Sequence, residues 1–155
     1  MVDIVRELRQ NAVLWIAVTS WFVAQMIKFI TEAMRDKRFS MYTLILSTGG
    51  MPSSHSSFAT AAMVGIGFKD GFNTSAFAVS IVITLVIIVD AAGVRRAAGE
   101  QAAVINMLIE NLNNPNISMD QKLKELLGHT PIEVGAGVIL GVIMGVIGSR
   151  VCGFV

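Results

Sequence analysis

Charged side chains are missing from four long stretches of this chain, and that pattern restricts its fold more than any other feature. No Asp, Glu, Lys or Arg occurs in residues 10–27, 39–68, 71–89 or 134–149. A helix that faces water carries polar and charged residues along its outer side. Charged residues make up only 15% of this sequence, against roughly 25% in ordinary soluble domains. The pattern therefore predicts an integral membrane protein.

The apolar segments predict an all-α membrane helical bundle, because a helix satisfies its own backbone hydrogen bonds inside a bilayer. A spanning helix needs about 20 apolar residues. We expect the whole chain, residues 1–155, to be a single membrane-embedded domain. The segment 94–113 has apolar residues at helical spacing, which predicts an amphipathic helix against the bundle or at the membrane interface. The four predicted spans are 11–29, 56–68, 74–89 and 132–154, of which the second is the shortest.

Composition excludes several other classes of protein. The formal net charge is +1, too small for a grip on the phosphates of a nucleic acid. Cys152 is the single cysteine, so the chain has neither a disulfide framework nor a cysteine-based zinc site.

Three glycines in the last predicted span, Gly137, Gly141 and Gly145, form two overlapping G-x-x-x-G motifs. Such motifs allow close contact between membrane helices. The contact lies either within one chain or between two chains, and in the second case it would make a homodimer. The sequence favours neither alternative.

Basic residues and both histidines lie in the two loops that a four-span topology puts on one face. These loops follow the first and third predicted spans, and each holds four basic residues, in 28–38 and in 93–131. His55 and His129 lie in the same two loops. Cations and histidines with few competing acids indicate an anion site, and phosphate is the commonest such anion.

The segment STGGMPSSHSS, residues 47–57, predicts a glycine turn that leads into a helix. Ser53 or Ser54 is a suitable N-cap, which puts His55 in the first turn, where free amides and the helix dipole favour an anion. A histidine there could protonate a leaving oxygen. The segment is equally consistent with a capped turn in which the histidine is incidental.

The segment GHTPIEV, residues 128–134, predicts a second helix start. Thr130 as N-cap and Glu133 three residues later form a capping box, which is the simplest explanation of Glu133. However, Glu133 also lies four residues after His129, near enough to accept its ring N–H. Such a contact fixes the tautomer and leaves the other ring nitrogen free as a nucleophile or base.

Together these segments resemble the motifs shared by type 2 phosphatidic acid phosphatases and vanadium haloperoxidases: K-x6-R-P, P-S-G-H and S-R-x5-H-x3-D. Residues 52–55, PSSH, resemble the second motif, and His129 with Glu133 resembles the end of the third. Lys28 and Arg35 have the K-x6-R spacing of the first.

The longer segments STGGMPSSHS, DAAGVRRAAGEQAAVIN and LKELLGHTPIEV are similar to the divergent bacterial and plant branch of this superfamily, over about residues 25–137. The sequence departs from the superfamily pattern at four positions. Ser54 replaces glycine, Glu133 replaces aspartate, Asp36 replaces proline, and Leu123 stands where a phosphate-binding arginine is expected.

The resemblance implies a metal-independent lipid phosphate phosphatase with no cofactor. In that mechanism His129 attacks phosphorus to give a phosphohistidine, Glu133 orients it, and His55 protonates the leaving alkoxide. Asp90, at the end of an uncharged span, is a functional candidate by its position, and we expect it to support Arg95 or Arg96 as an ion-pair partner. The residues expected to bind the substrate phosphate are Lys28, Arg35, Arg38, Ser53, Ser54, Arg95 and Arg96.

The expected partners are a lipid phosphate substrate and the surrounding membrane lipids. Phosphatidate, phosphatidylglycerophosphate and polyprenyl phosphates all fit the description of a phosphate head on an apolar tail. The alternative from another class is a catalytically silent membrane protein that binds anionic lipid head groups; vanadate-dependent halide oxidation is a more distant one. We expect the chain in a bacterial plasma membrane, and the positive-inside rule puts its active-site face in the cytoplasm.

Overall fold

The computed structural model describes residues 2–36, 50–111 and 129–155, and all regular structure in these three segments is helical. The expected all-α membrane bundle is therefore confirmed. The helices in chain order are α1 (Val2–Gln10), α2 (Ala12–Asp36), α3 (Ser54–Asp70), α4 (Ser75–Val89), a π-helical turn (Asp90–Val94), α5 (Arg95–Asn111) and α6 (Pro131–Val151).

Three of the described helices are long and apolar enough to cross a membrane: Ala12–Thr31, Ser75–Gly93 and Pro131–Val151. The predicted count of four spans is one more than these three candidates. The segment 56–68 lies in α3, which has 17 residues and is shorter than the usual spanning length. α3 is apolar because other helices surround it, whereas α4 is apolar because most of its side chains face outward.

α3 is the central helix of the bundle, with α2, α4 and α6 packed around it. Most of its residues are Ser, Ala, Gly and Thr, which let neighbouring backbones approach closely. Hydroxyl groups of two neighbouring helices hydrogen-bond to α3. Ser20 Oγ of α2 lies 2.7 Å from Ser57 Oγ and 3.2 Å from the carbonyl oxygen of Ser57, and Thr84 Oγ1 of α4 donates to the carbonyl oxygen of Ala59 at 3.3 Å. The buried hydroxyls thus join helices as well as filling space.

The three glycines of the G-x-x-x-G motifs contact α3 of the same chain. A Cβ atom placed on Gly141 would lie 2.6 Å from the carbonyl oxygen of Ser57 and 2.7 Å from Thr60 Cβ. One on Gly145 would lie 2.6 Å from Val64 Cβ, and Gly137 faces the backbone of Ser53. Of the two contacts predicted for this motif, the structure shows the one within the chain. A homodimer stays a prediction, and it would need another surface.

We expect Gly141→Ala to destabilise the protein by about 1–3 kcal/mol, the usual cost of inserting a methyl group into a packed interface. The matched control is Gly135→Ala on the same helix, where an added Cβ would meet nothing within 4 Å. That change should be neutral or slightly stabilising, since Ala favours helix over Gly. Thermal unfolding in detergent measures both. Equal melting temperatures for the two variants would contradict the close contact.

α5 turns its apolar side away from the bundle. Gly99, Ala102 and Asn106 are buried, whereas Val104, Ile105 and Leu108 are exposed, like most of the apolar side chains described in this helix. Of the two positions predicted for the amphipathic helix, this orientation favours the membrane interface over packing against the bundle.

Candidate active site

Two backbone hydrogen bonds bring three distant segments together at one end of the bundle. The amide of Ser53 donates to the carbonyl oxygen of Glu133 at 2.9 Å, which joins the start of α3 to the start of α6. The amide of His129 donates to the carbonyl oxygen of Ala91 at 3.2 Å, which joins the residues before α6 to the π-helical turn. The two predicted helix starts therefore lie side by side.

His129 is buried, with 2% of its surface exposed. Its Nδ1 atom lies 3.4 Å from Glu133 Oε2. That is an ion-pair distance without the alignment of a hydrogen bond, and Nδ1 has no hydrogen-bond partner among the described residues. With Glu133 on the Nδ1 side, Nε2 is the ring nitrogen left for chemistry.

Glu133 also makes the capping box that its spacing predicts. Its Oε2 accepts from the amide of Thr130 at 2.8 Å, and Thr130 Oγ1 accepts from the amide of Glu133 at 3.3 Å. The capping and orienting roles are not alternatives, because one carboxylate oxygen lies near both partners.

The pKa of His129 lies below its ordinary value of 6.5. Burial is the largest cause, since it disfavours the charged imidazolium, and the positive charge of Lys28 adds to it. The carboxylate of Glu133 opposes the shift, and His55 contributes a smaller lowering. His129 is therefore held in the neutral form that a nucleophilic ring nitrogen requires.

We expect a histidine NMR titration to place the midpoint of His129 below pH 6.5. Between the folded-state pKa and pH 6.5, the unfolded chain binds more protons than the folded chain. The contribution of His129 to the free energy of unfolding is therefore complete above pH 6.5, and it is lost as pH falls through the folded-state pKa. The variant His55→Gln identifies the remaining resonance as His129. A midpoint above 6.5 would show that Glu133 outweighs burial and Lys28.

His55 is the second residue of α3, in the first turn as predicted, and it is exposed. Ser53 is the N-cap: its Oγ accepts from the amide of Ser56 at 3.4 Å and from Ser56 Oγ at 3.0 Å. Ser53 and Ser54 are both buried, and neither lines the cavity described next. Their role in phosphate binding stays a prediction.

A cavity of about 560 Å³ opens beside the two histidines. His55, Asp90 and His129 form its polar end, so the structure brings together three residues that are far apart in the sequence. Asp90 begins the π-helical turn, and such turns often occur at functional sites. The remaining lining residues are Val18, Trp21, Phe58, Val86, Ile87 and Ala91.

Lys28 is buried, with 3% exposure, close enough to His129 to lower its pKa. Gln25, one turn earlier on α2, is also buried. Gln25 is not among the predicted site residues, although a polar pair three residues apart on an apolar span is a detectable signal.

The other predicted phosphate-binding residues are less completely described. Arg35 lies in the last turn of α2, and Arg95 and Arg96 begin α5; the structure describes their backbone only. Arg38 lies outside the described residues, as does Leu123. The roles of these arginines, and the ion pair expected for Asp90, stay predictions.

Within residues 2–36, 50–111 and 129–155, no three His, Cys, Asp or Glu side chains form a group that could hold a metal ion.

Comparisons with known proteins agree with the resemblance in the motifs. A family model described as the Divergent PAP2 family matches residues 9–144. The chain is 40% identical over 149 residues to the uncharacterized membrane protein YuiD of Bacillus subtilis (strain 168), covering 89% of this chain and 94% of the relative. No solved structure matches the chain.

Proposed function

Because this chain belongs to the Divergent PAP2 family, we propose that it is a membrane phosphatase that hydrolyses a lipid phosphate through a phosphohistidine intermediate. The observation that carries the proposal is the cavity shared by His55 and His129. One histidine is buried beside a carboxylate and the other is exposed. A nucleophile and an acid need these different environments.

In the first step, His129 Nε2 attacks phosphorus, and the bond between phosphorus and the lipid oxygen breaks. His55 donates a proton to the departing alkoxide. The imidazole of His129 becomes positively charged as the new P–N bond forms, and Glu133, 3.4 Å from Nδ1, stabilises that charge. In the second step, water attacks phosphorus with His55 as the base, which releases phosphate and restores neutral His129.

Lys28 supplies positive charge to the phosphoryl oxygens in this scheme. A buried ammonium is worth more in transition-state stabilisation than an exposed one, because water does not screen it. We propose that Arg35 or Arg38, and Arg95 or Arg96, provide further cations. No step requires a metal ion.

The direct test is phosphate release from a panel of lipid phosphates by the purified protein in detergent. We expect turnover that persists in excess chelator and is inhibited by vanadate, which imitates a five-coordinate phosphoryl group. Loss of activity with chelator and recovery with magnesium would contradict the metal-independent scheme. Absence of release from every lipid phosphate would contradict the function itself.

The second candidate function is a catalytically silent protein that binds anionic lipids through the same basic residues. It is favoured by Leu123, which stands in place of the arginine that the superfamily pattern requires. Binding of lipid phosphate without turnover in the panel would support this alternative.

We propose that the active-site end faces the cytoplasm of a bacterial cell, since the described basic residues Lys28, Arg35, Arg95 and Arg96 belong to the helix ends nearest the two histidines. Cys152 follows α6 at the opposite end and is exposed. We therefore expect a membrane-impermeant maleimide to label Cys152 in intact cells. The control, Met51→Cys in a Cys152→Ser background, puts the thiol at the active-site end, where it should be labelled only after permeabilisation. The reverse pattern would invert the topology.

A further inference from the structure

The active-site cavity continues away from the histidines as an apolar groove, lined by Val18 and Trp21 of α2, Phe58 of α3, and Val86 and Ile87 of α4. We call the surface that these five residues form the apolar groove. Its walls are α2 and α4, and its floor is α3. α2 and α4 each pack against α3 but make at most marginal contact with each other over their described lengths.

The central helix is exposed where it forms this floor. Between Ser54 and Phe68, His55 and Phe58 are the two exposed residues. They are three positions apart, on one face of the helix, and both line the cavity. Val86 on the wall is 63% exposed, so the groove is open along its side. Because α4 is a candidate membrane span, that side faces the bilayer.

The groove is long enough to hold a hydrocarbon chain. Trp21 and Val18 precede Lys28 by seven and ten residues, which at about 1.5 Å per residue puts them roughly 10 and 15 Å along α2 from the backbone of Lys28. The volume of about 560 Å³ lies within the usual range for small-molecule sites, about 300–1,000 Å³. Polar groups converge at one end only.

We propose that the apolar groove binds the hydrocarbon chain attached to the substrate phosphate, that the chain enters sideways from the bilayer between α2 and α4, and that Val18 at the deep end limits its bound length. The identity of the head group rests on the proposed function. The place of the chain follows from the groove and its continuity with His55 and His129. Val18, Trp21 and Phe58 are then specificity-determining residues.

The first test measures kcat/KM for straight-chain alkyl phosphates of increasing length, each kept monomeric in dilute detergent. We expect kcat/KM to rise by up to about fourfold per methylene, the value of about 0.8 kcal/mol per buried CH2, and then to level off. Val18→Phe should move the plateau to shorter chains and lower kcat/KM about tenfold for the longest chains, with a much smaller effect on the shortest. The matched control is Val82→Phe, an exposed position on α4 that does not line the cavity, and it should behave as wild type.

The second test measures binding without turnover. The variant Trp15→Phe has Trp21 as its single tryptophan. The protein is placed in nanodiscs, and an alkyl phosphonate that carries bromine along its chain is added to quench the tryptophan fluorescence. We expect saturable quenching of Trp21 that the unbrominated phosphonate reverses. The control variant, Trp21→Phe, retains Trp15, which lies outside the groove and is half exposed; it should show only weak, non-saturable quenching.

The two tests separate failure of the groove from failure of the phosphatase. Saturable quenching of Trp21 with no phosphate release would retain the groove and reject the enzyme. Phosphate release with no dependence on chain length, no effect of Val18→Phe and no saturable quenching would retain the enzyme and reject the groove. Equal saturable quenching of Trp15 and Trp21 would also overturn the groove.

Discussion

His129→Ala is expected to lower phosphate release by about a thousandfold or more, to the background of the assay. The loss of a covalent nucleophile removes the reaction path itself, and residual rates in such variants come only from binding and charge stabilisation. Among the described residues that line the cavity, His129 is the one held neutral by burial beside a carboxylate. Initial rates on the preferred lipid phosphate measure the effect. When the reaction is stopped with base, labelled phosphate should stay bound to the wild-type protein as phosphohistidine, but not to the variant.

His55→Ala is the informative comparison. Loss of a general acid lowers the rate on an alkyl phosphate about 10²–10⁴-fold. An aryl phosphate has a leaving group that needs no proton, so the variant should hydrolyse it at much closer to the wild-type rate. His55→Ala should therefore still form the trapped intermediate, whereas His129→Ala should not. Normal turnover in His129→Ala would end the phosphohistidine mechanism, and trapping on His55 would exchange the two roles.

The membrane class and the two helix starts could be predicted because they depend on local sequence. Four long uncharged stretches in one short chain indicate a membrane protein, because a helix that faces water needs charged residues on its outer side. The capping box depends on two residues three positions apart, Thr130 and Glu133, and the first-turn place of His55 depends on a serine two residues before it. The structure shows each of these features where the sequence predicts it.

The position of α3 could not be predicted from its composition. Hydropathy gives the same signal for a helix surrounded by lipid and for one surrounded by other helices, and Ser56 to Phe68 reads as a short span on that basis. The difference lies in the neighbours: Gly137, Gly141 and Gly145 supply the surface on which α3 packs. Sequence alone leaves the partner of those glycines open, because close approach requires small residues whichever helix is on the other side.

The sequence predicts both histidines on one face, but not the contacts that bring them to one cavity. The carbonyl oxygen of Ala91 accepts from the amide of His129, and this contact links residues 38 positions apart through backbone atoms that carry no sequence signal. No pattern in the sequence marks Trp21 and Phe58 as residues of the cavity. Their place beside His55 depends on the gap between α2 and α4, which is a property of the whole bundle.

Glu133→Gln is expected to lower turnover by about 10²–10⁴-fold while leaving the fold intact. Glutamine can still accept from the amide of Thr130 and complete the capping box, so the melting temperature should stay near that of wild type. It carries no negative charge to stabilise the imidazolium that forms on His129. In the serine protease triad, exchange of the orienting aspartate for its amide costs about 10⁴ in kcat, which sets the upper end of the expected range.

The matched control for Glu133→Gln is Thr130→Ala, which removes the hydroxyl half of the capping box and leaves the carboxylate in place. Loss of an N-cap costs about 0.5–2 kcal/mol of stability, so this variant should melt at a lower temperature and keep most of its kcat at a temperature where it is folded. The two substitutions thus separate the roles that Glu133 combines. If Glu133→Gln kept near-normal turnover, Glu133 would act only as a cap. The charge that balances His129 during phosphoryl transfer would then have to come from another carboxylate, and Asp90, which lines the same cavity, is a candidate.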